Sequence, residues 1–342
     1  MRRIKSLDSF RGLVISFMLI GHYAPSWMTL ETFISYFSNV NLVLGFIGIP
    51  IFWTIVGISF SLSKERRKLQ GDFKKHIYKR GLILICLNFL LNIIFSFKQV
   101  WTYEVLVPIG ISQIVCYHLR EKSNPFKIFV IFLIILSVPF LRDYFNYQIE
   151  LFTIVNPIWD FGTFFRGMIV NMPFAVFPYI SYMILGTIIG DELVKVKFDK
   201  NMGVKFCHKL LIYGVISLLI GLSFSIFNLP IRQRYEEGLH ILITTGIVMF
   251  IFSGLYWLED VQARNIFHVL TYYGQIALTF LFLHYFINVY IFNYIFEVSQ
   301  NLSIYPSLIL IIFICLVLWI MAKIWARYNY KFSLDWIVRK LS

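Results

Sequence analysis

Apolar residues in this chain run in blocks of helix length, separated by short polar joints rich in Lys and Arg. Runs of about 18 or more residues fall at 9–28, 42–62, 80–97, 101–118, 126–142, 173–193, 209–228, 239–257, 267–296 and 304–326. At 1.5 Å per residue each can cross a hydrocarbon core about 30 Å thick. The pattern predicts an all-α, polytopic integral membrane protein with about ten transmembrane helices. Two runs are irregular. The fourth carries Pro108 and Gly110 and is expected to be broken, which is tolerated where backbone lines a cavity. The ninth, 267–296, is too long for one straight crossing, and Gly274 is expected to mark a re-entrant or interfacial lead-in. No linker or repeat divides the chain, so residues 1–342 read as a single domain.

The first run is the one whose polar residues demand a reason. Asp8 and Arg11 are three apart, so they are neighbours on one helical face. Arg11 and His22 are eleven apart, about three full turns, and project from the same face with a rise of about 16 Å. Ionisable groups in a span are costly and face a cavity or bundle interior. The stripe therefore nominates His22 as a general base or acyl relay, Arg11 to stabilise an anionic or carbonyl group, and Asp8 to orient Arg11. An interfacial anchor pair and a packed polar histidine are the plainer alternatives.

Composition supports the membrane class. The chain is 58% hydrophobic and only 14% charged, where soluble domains average about a quarter charged. Mean hydropathy is +0.73. The net charge of +13 does not point to nucleic acid, because the cations fall in alternate loops, which is a topology signal. That asymmetry predicts both termini in the cytoplasm. The opening Met-Arg-Arg-Ile-Lys reads as an uncleaved anchor. Four scattered cysteines have neither metal spacing nor a disulfide framework, and no metal site is expected.

Residues 64–80 hold eight cations in seventeen positions. Topology and anionic lipid explain such a run. A sharper reading gives Arg67, Lys75, Lys79 and Arg80 to a phosphate-rich ligand such as coenzyme A. Further polar residues are candidates for substrate contact: Glu104 at the start of the fourth span, His284 within the ninth, and Trp159 and Asp160 in the aromatic external segment 143–172. For His284 an interhelical hydrogen bond and a chemical part weigh equally.

These residues resemble the transmembrane acyltransferase superfamily, which includes the bacterial acyltransferase-three O-acetyltransferases and the heparan-α-glucosaminide N-acetyltransferase-like family. The stretch Arg3-Ile-Lys-Ser-Leu-Asp-Ser-Phe-Arg-Gly-Leu is similar to their first-span signature, and Arg11 with His22 has the O-acetyltransferase spacing. Phe52–Ser63 with Lys79-Arg80-Gly81, Val105–Gly110 and Phe177–Gly186 are similar to the N-acetyltransferase-like branch. Gly274–His284 looks like a late glycine-to-histidine helix common to both, and Ser333–Arg339 like a closing motif of related bacterial proteins. The resemblance implies an enzyme taking an acyl group, usually acetyl, from acetyl-CoA at the cytoplasmic face. Its acceptor would be a sugar or cell-envelope glycan on the other side. It also implies membrane lipids as partners, a prokaryotic cell membrane as location, and a homodimer as an open option. The lysosomal N-acetyltransferase has its key histidine a few residues beyond the first span; Tyr23–Leu30 contains none here. Amine and hydroxyl acceptors both stay open, and a transporter with a polar path is the rival reading.

Overall fold

The computed structural model describes residues 3–68, 71–95, 105–145, 161–171, 174–196, 199–226 and 238–342. Among these every regular element is helical. The principal helices are α1 Lys5–Trp27, α2 Ser38–Arg67, α3 Phe73–Phe95, α4 Leu106–Leu119, α5 Asn124–Tyr144 and α6 Val176–Val196. They continue as α7 Lys200–Ile226, α8 Gly238–Tyr256, α9 His268–Gln275, α10 Ala277–Tyr285, α11 Ile304–Ala326 and α12 Leu334–Leu341. Wider π-helical stretches interrupt the series, notably Trp257–Val261 and Phe286–Ile295.

Seven helices among the described residues are long and apolar enough to cross a membrane: Leu30–Arg67, Phe73–Phe95, Asn124–Tyr144, Lys200–Ser223, His240–Val261, Ala277–Ile295 and Ile304–Ala326. The protein is an integral membrane protein. Three of the ten expected spans fall outside that set. α1 and α6 have the length, but Asp8, Arg11 and His22 in one and Asp191, Glu192 and Lys195 in the other dilute their apolar character. α4 is apolar but short, 14 residues. It is also unbroken where described: Pro108 lies in its first turn, where the missing N–H would have had no helical partner. Residues 101–104 of that expected span lie outside the described residues.

The chain forms two compact units. The first comprises Trp53–Phe250 with Leu341–Ser342. Its axis is α6, buried on nearly every side from Val176 to Gly190, as a helix apolar all round should be. Gly57 of α2 and Gly186 of α6 let two backbones meet: a Cβ on Gly57 would stand 2.1 Å from the Met183 carbonyl oxygen. This is the small-residue packing that membrane helices use. Ser61 Oγ adds a bond to the Thr187 carbonyl at 2.9 Å. Lys127 of α5, 1% exposed, donates to Asp191 of α6 at 2.7 Å. Asp191→Ala should cost about 3–5 kcal/mol, because it strands a buried ammonium. Thermal melting in nanodiscs checks this, and the pair Lys127→Met with Asp191→Leu should recover most of the loss.

The second unit comprises Arg2–Phe52 with Ile251–Lys340. Here α1 is the axis. α9 lies against it in antiparallel register, set by two glycines. A Cβ on Gly12 would be 1.9 Å from the Leu270 carbonyl oxygen, and one on Gly274 only 1.8 Å from that of Asp8. The chain then breaks at Ile276 (φ −130°, ψ 39°) and runs back along α1 in the parallel sense, bringing His284 to His22 and Asn293 to Ser26. The long ninth run is thus a short lead-in followed by a span, as its length required. The break falls two residues beyond Gly274, because Gly274 serves close approach and not the turn. Tyr23, Trp27, Tyr273, Ile276, Phe280 and Leu318 form the packed centre.

Candidate active site

Neither α1 nor α10 starts with a residue able to cap it. Ile4 and Ile276 hold those positions and offer no side-chain acceptor. The exposed N–H groups are met instead by carboxylates distant in sequence. Asp260 accepts from the backbone N–H of Lys5 and Ser6 at 3.1 and 2.9 Å. Its neighbour Glu259, 1% exposed, accepts from Ser9 Oγ at 2.9 Å, and Ser9 Oγ lies 2.9 Å from Thr271 Oγ1. Asp8 sits between two arginines. Arg3 Nε donates to its Oδ2 at 2.5 Å and Arg11 Nη1 to its Oδ1 at 3.3 Å. Asp8 is buried, while 28% of the Arg11 side chain stays accessible. The helical neighbours expected from spacing are therefore an ion pair, with Arg3 as a second cation.

Asp335 of α12 does for α10 what Asp260 does for α1. Its oxygens accept from the N–H of Leu278 at 3.2 Å and of Thr279 at 3.0 Å, and from Thr279 Oγ1 at 2.8 Å. Burial pushes this carboxyl above the usual carboxylate range, against the pull of the Thr279 and Leu278 donors. A carboxylate at a helix start satisfies unpaired N–H groups and complements the helix dipole. Asp335→Ala should cost about 0.5–2 kcal/mol, read as lowered thermal stability in nanodiscs, and Asp335→Asn should cost less.

At the far end of α1, His22 and His284 meet. His284 Nε2 and His22 Nδ1 are 3.0 Å apart, with rings edge to face at 4.8 Å between centroids. His284 Nδ1 lies 3.2 Å from the Phe280 carbonyl oxygen. A carbonyl only accepts, so that nitrogen carries the hydrogen. For two neutral rings the order then follows: His284 Nε2 accepts from His22 Nδ1–H, and His22 Nε2 keeps a free lone pair. His284 is 1% exposed, whereas His22 is half-buried. Behind them Tyr23 stacks on Trp27 at 4.4 Å and 7°. The carbonyls at the end of α1 are taken up by a later loop: Gln300 N–H donates to Ser26 O and Leu302 N–H to Trp27 O, both at 2.9 Å. These ties fix α1 relative to the segment carrying His284.

Lys75 and Lys79 are exposed, four apart on the first turns of α3, with Arg80 half-buried beside them. Arg67 is in an ion pair with Asp72 at 2.6 Å, so part of its charge is already answered. Glu104, Trp159 and Asp160 lie outside the described residues. Sequence reasoning missed Arg3, Glu259, Asp260, Thr279 and Asp335 as parts of this arrangement. Arg3, Thr279 and Asp335 lay within the motif stretches Arg3–Leu13, Gly274–His284 and Ser333–Arg339 without being singled out, while Glu259 and Asp260 carried no signal. Among the described residues, no three His, Cys, Asp or Glu side chains are grouped as a metal ion would need.

Among curated proteins none matches the chain. Residues 196–342 match a family described as a protein of unknown function (DUF418). Residues 3–226 match the family described as heparan-alpha-glucosaminide N-acetyltransferase, catalytic. That match covers more than half of the chain and includes the helix bearing Asp8, Arg11 and His22, and so the protein belongs to the heparan-alpha-glucosaminide N-acetyltransferase catalytic family of membrane acyltransferases.

Proposed function

We propose that the whole chain acts as one acyltransferase unit, moving an acetyl group from cytoplasmic acetyl-CoA to a hydroxyl or amine of a sugar or cell-envelope glycan. The observation that carries this reading is the His22–His284 hydrogen bond, which leaves His22 Nε2 as a base on a helix that also bears an accessible arginine. The thioester supplies the activated acyl group. His22 Nε2 takes the proton of the acceptor O–H or N–H as that atom bonds to the acyl carbon. The C–S bond breaks, its electron pair leaves on sulfur, and the proton returns from His22 to the thiolate. His284 Nε2 accepts the His22 Nδ1–H throughout, which holds the ring and steadies it while it carries the extra proton. Arg11, held by Asp8, meets an anionic or carbonyl oxygen of the donor. Lys75 and Lys79, with Arg80 and Arg67, supply cations for the donor phosphates. The cation-rich alternate loops support a cytoplasmic donor side.

The test is release of free coenzyme A from acetyl-CoA by the purified protein in nanodiscs, with and without a glycoside acceptor. Acceptor-stimulated release is the expected result. No release with any sugar acceptor, together with solute flux in proteoliposomes, would replace the enzyme by a transporter.

A further inference from the structure

The two sides of α11 differ in kind. One side packs inward: Ala322 is fully buried in the centre of the second unit, with Leu318 and Ile314. On another side Val317, Ile320, Met321, Ile324, Trp325 and Tyr328 line an open groove of about 430 Å³, within the range of small-molecule sites. These residues recur at steps of three and four, so they form one helical stripe. From Val317 to Tyr328 the stripe rises about 16 Å. That is roughly half of a hydrocarbon core about 30 Å thick, the depth of the acyl chains of one leaflet. Val317, Ile320, Ile324 and Tyr328 are exposed. Exposed apolar side chains are ordinary on a lipid-facing helix, but a hollow with a charged mouth is not.

The mouth lies at the end of the helix, where Trp325 and Tyr328 supply the aromatic rings usual at a membrane interface. Arg327 is exposed and three residues past Ile324, so it stands at the edge of the groove. Trp325 Nε1 donates to the Lys331 carbonyl oxygen at 2.8 Å, which brings Lys331, also exposed, back to the rim. Asn329, Tyr330 and Phe332 make that reversal, at left-handed φ of 51°, 52° and 65°. Such conformations persist where the surroundings hold them, and Tyr330 is buried in the centre of the second unit. Lys323 turns away, over the Trp319 ring at 5.3 Å. Residues 298–334 contain no Asp or Glu. A groove that is apolar along its length and cationic at its mouth complements a chain with an anionic head. A second copy of the protein fits it poorly. Two copies in one membrane share an orientation, so an isologous contact would set Arg327 and Lys331 against the same cations. The stripe also has none of the small residues by which membrane helices approach one another.

We propose that this face of α11 binds one anionic phospholipid, with an acyl chain along the groove and the phosphate at Arg327 and Lys331. The site is independent of the acyl-transfer reading. The test is native mass spectrometry of the full chain in detergent, titrated with phosphatidylglycerol or phosphatidylcholine. Phosphatidylglycerol should be retained more tightly. Arg327→Gln and Lys331→Gln should each weaken it about five-fold, as expected for one cation near an anionic lipid. Lys205→Gln, an exposed cation of α7, should change nothing. Ile324→Trp fills the groove without altering charge and should weaken phosphatidylglycerol as well, while glycerol phosphate, a head without chains, should not compete. Lipid-free thermal melts of the variants should match wild type, because all the altered side chains are exposed. Equal retention of the two lipids, an equal loss in Lys205→Gln, indifference to Ile324→Trp, or competition by glycerol phosphate overturns the proposal. So does a dimer that Ile324→Trp dissociates, which would give the face to a second copy.

Discussion

In His22→Ala, acetyl transfer from acetyl-CoA should fall by about 10²–10⁴-fold, the usual contribution of a positioned general base. The proton order across the pair gives the reason. The Phe280 carbonyl sets the hydrogen on His284 Nδ1, His284 Nε2 takes that of His22 Nδ1, and the basic lone pair is left on His22 Nε2, on the more accessible ring. His284→Ala removes only the acceptor that orients His22, so it should cost less in kcat than loss of His22 itself. The thermal melt separates chemistry from folding. His22→Ala loses one interhelical bond, worth about 1 kcal/mol, which is too little to unfold the protein. A variant that melts like wild type yet keeps full acetyl-CoA turnover would remove His22 from the mechanism.

Gly274→Val should be the most damaging single change to the fold of the second unit, with a loss at or above the 1–3 kcal/mol usual for overpacking. The Cβ would stand 1.8 Å from the Asp8 carbonyl oxygen and 3.0 Å from Arg11 Cβ. The first obstacle is backbone, which cannot swing aside as a side-chain tip can. α9 must therefore withdraw from α1, stretching the Ser9–Thr271 contact and leaving the Gly12–Leu270 approach unfilled. The control is Gly254→Ala in α8, whose Cβ would meet nothing within 4 Å and which should not lower stability. If Gly274→Val melts no lower than Gly254→Ala, α1 and α9 do not pack as described.

Much of the architecture was legible in periodicity alone. Span-length apolar runs gave helices, and the excess length of 267–296 gave an interrupted segment. The spacing of Asp8 and Arg11 gave an ion pair, because residues three apart on a helix share a face; the closer pairing of Asp8 with Arg3 had no such periodic sign. The break at Ile276 was misplaced because glycine reads equally as a turn and as a point of close approach. Only the partner surface, here the Asp8 backbone, tells which. Pro108 leaves α4 intact because proline disrupts a helix interior but not its first turn, and the position of that turn is set by where the described helix begins.

The caps were invisible for a different reason. A helix that starts at Ile4 or Ile276 has no local acceptor, so its N–H groups take whichever carboxylate the fold brings, and Asp260 and Asp335 lie 254 and 56 residues from the N–H groups of Ser6 and Thr279. By itself the sequence determined the membrane class, the helices and the polar face of α1, because hydrophobic burial and helical spacing act within a segment. That His284 faces His22, and that Asn293 follows it to Ser26, was decided by tertiary structure. It required a chain reversal at one residue, a π-helical pitch and two glycines that let backbones touch, none of which has a periodic signature.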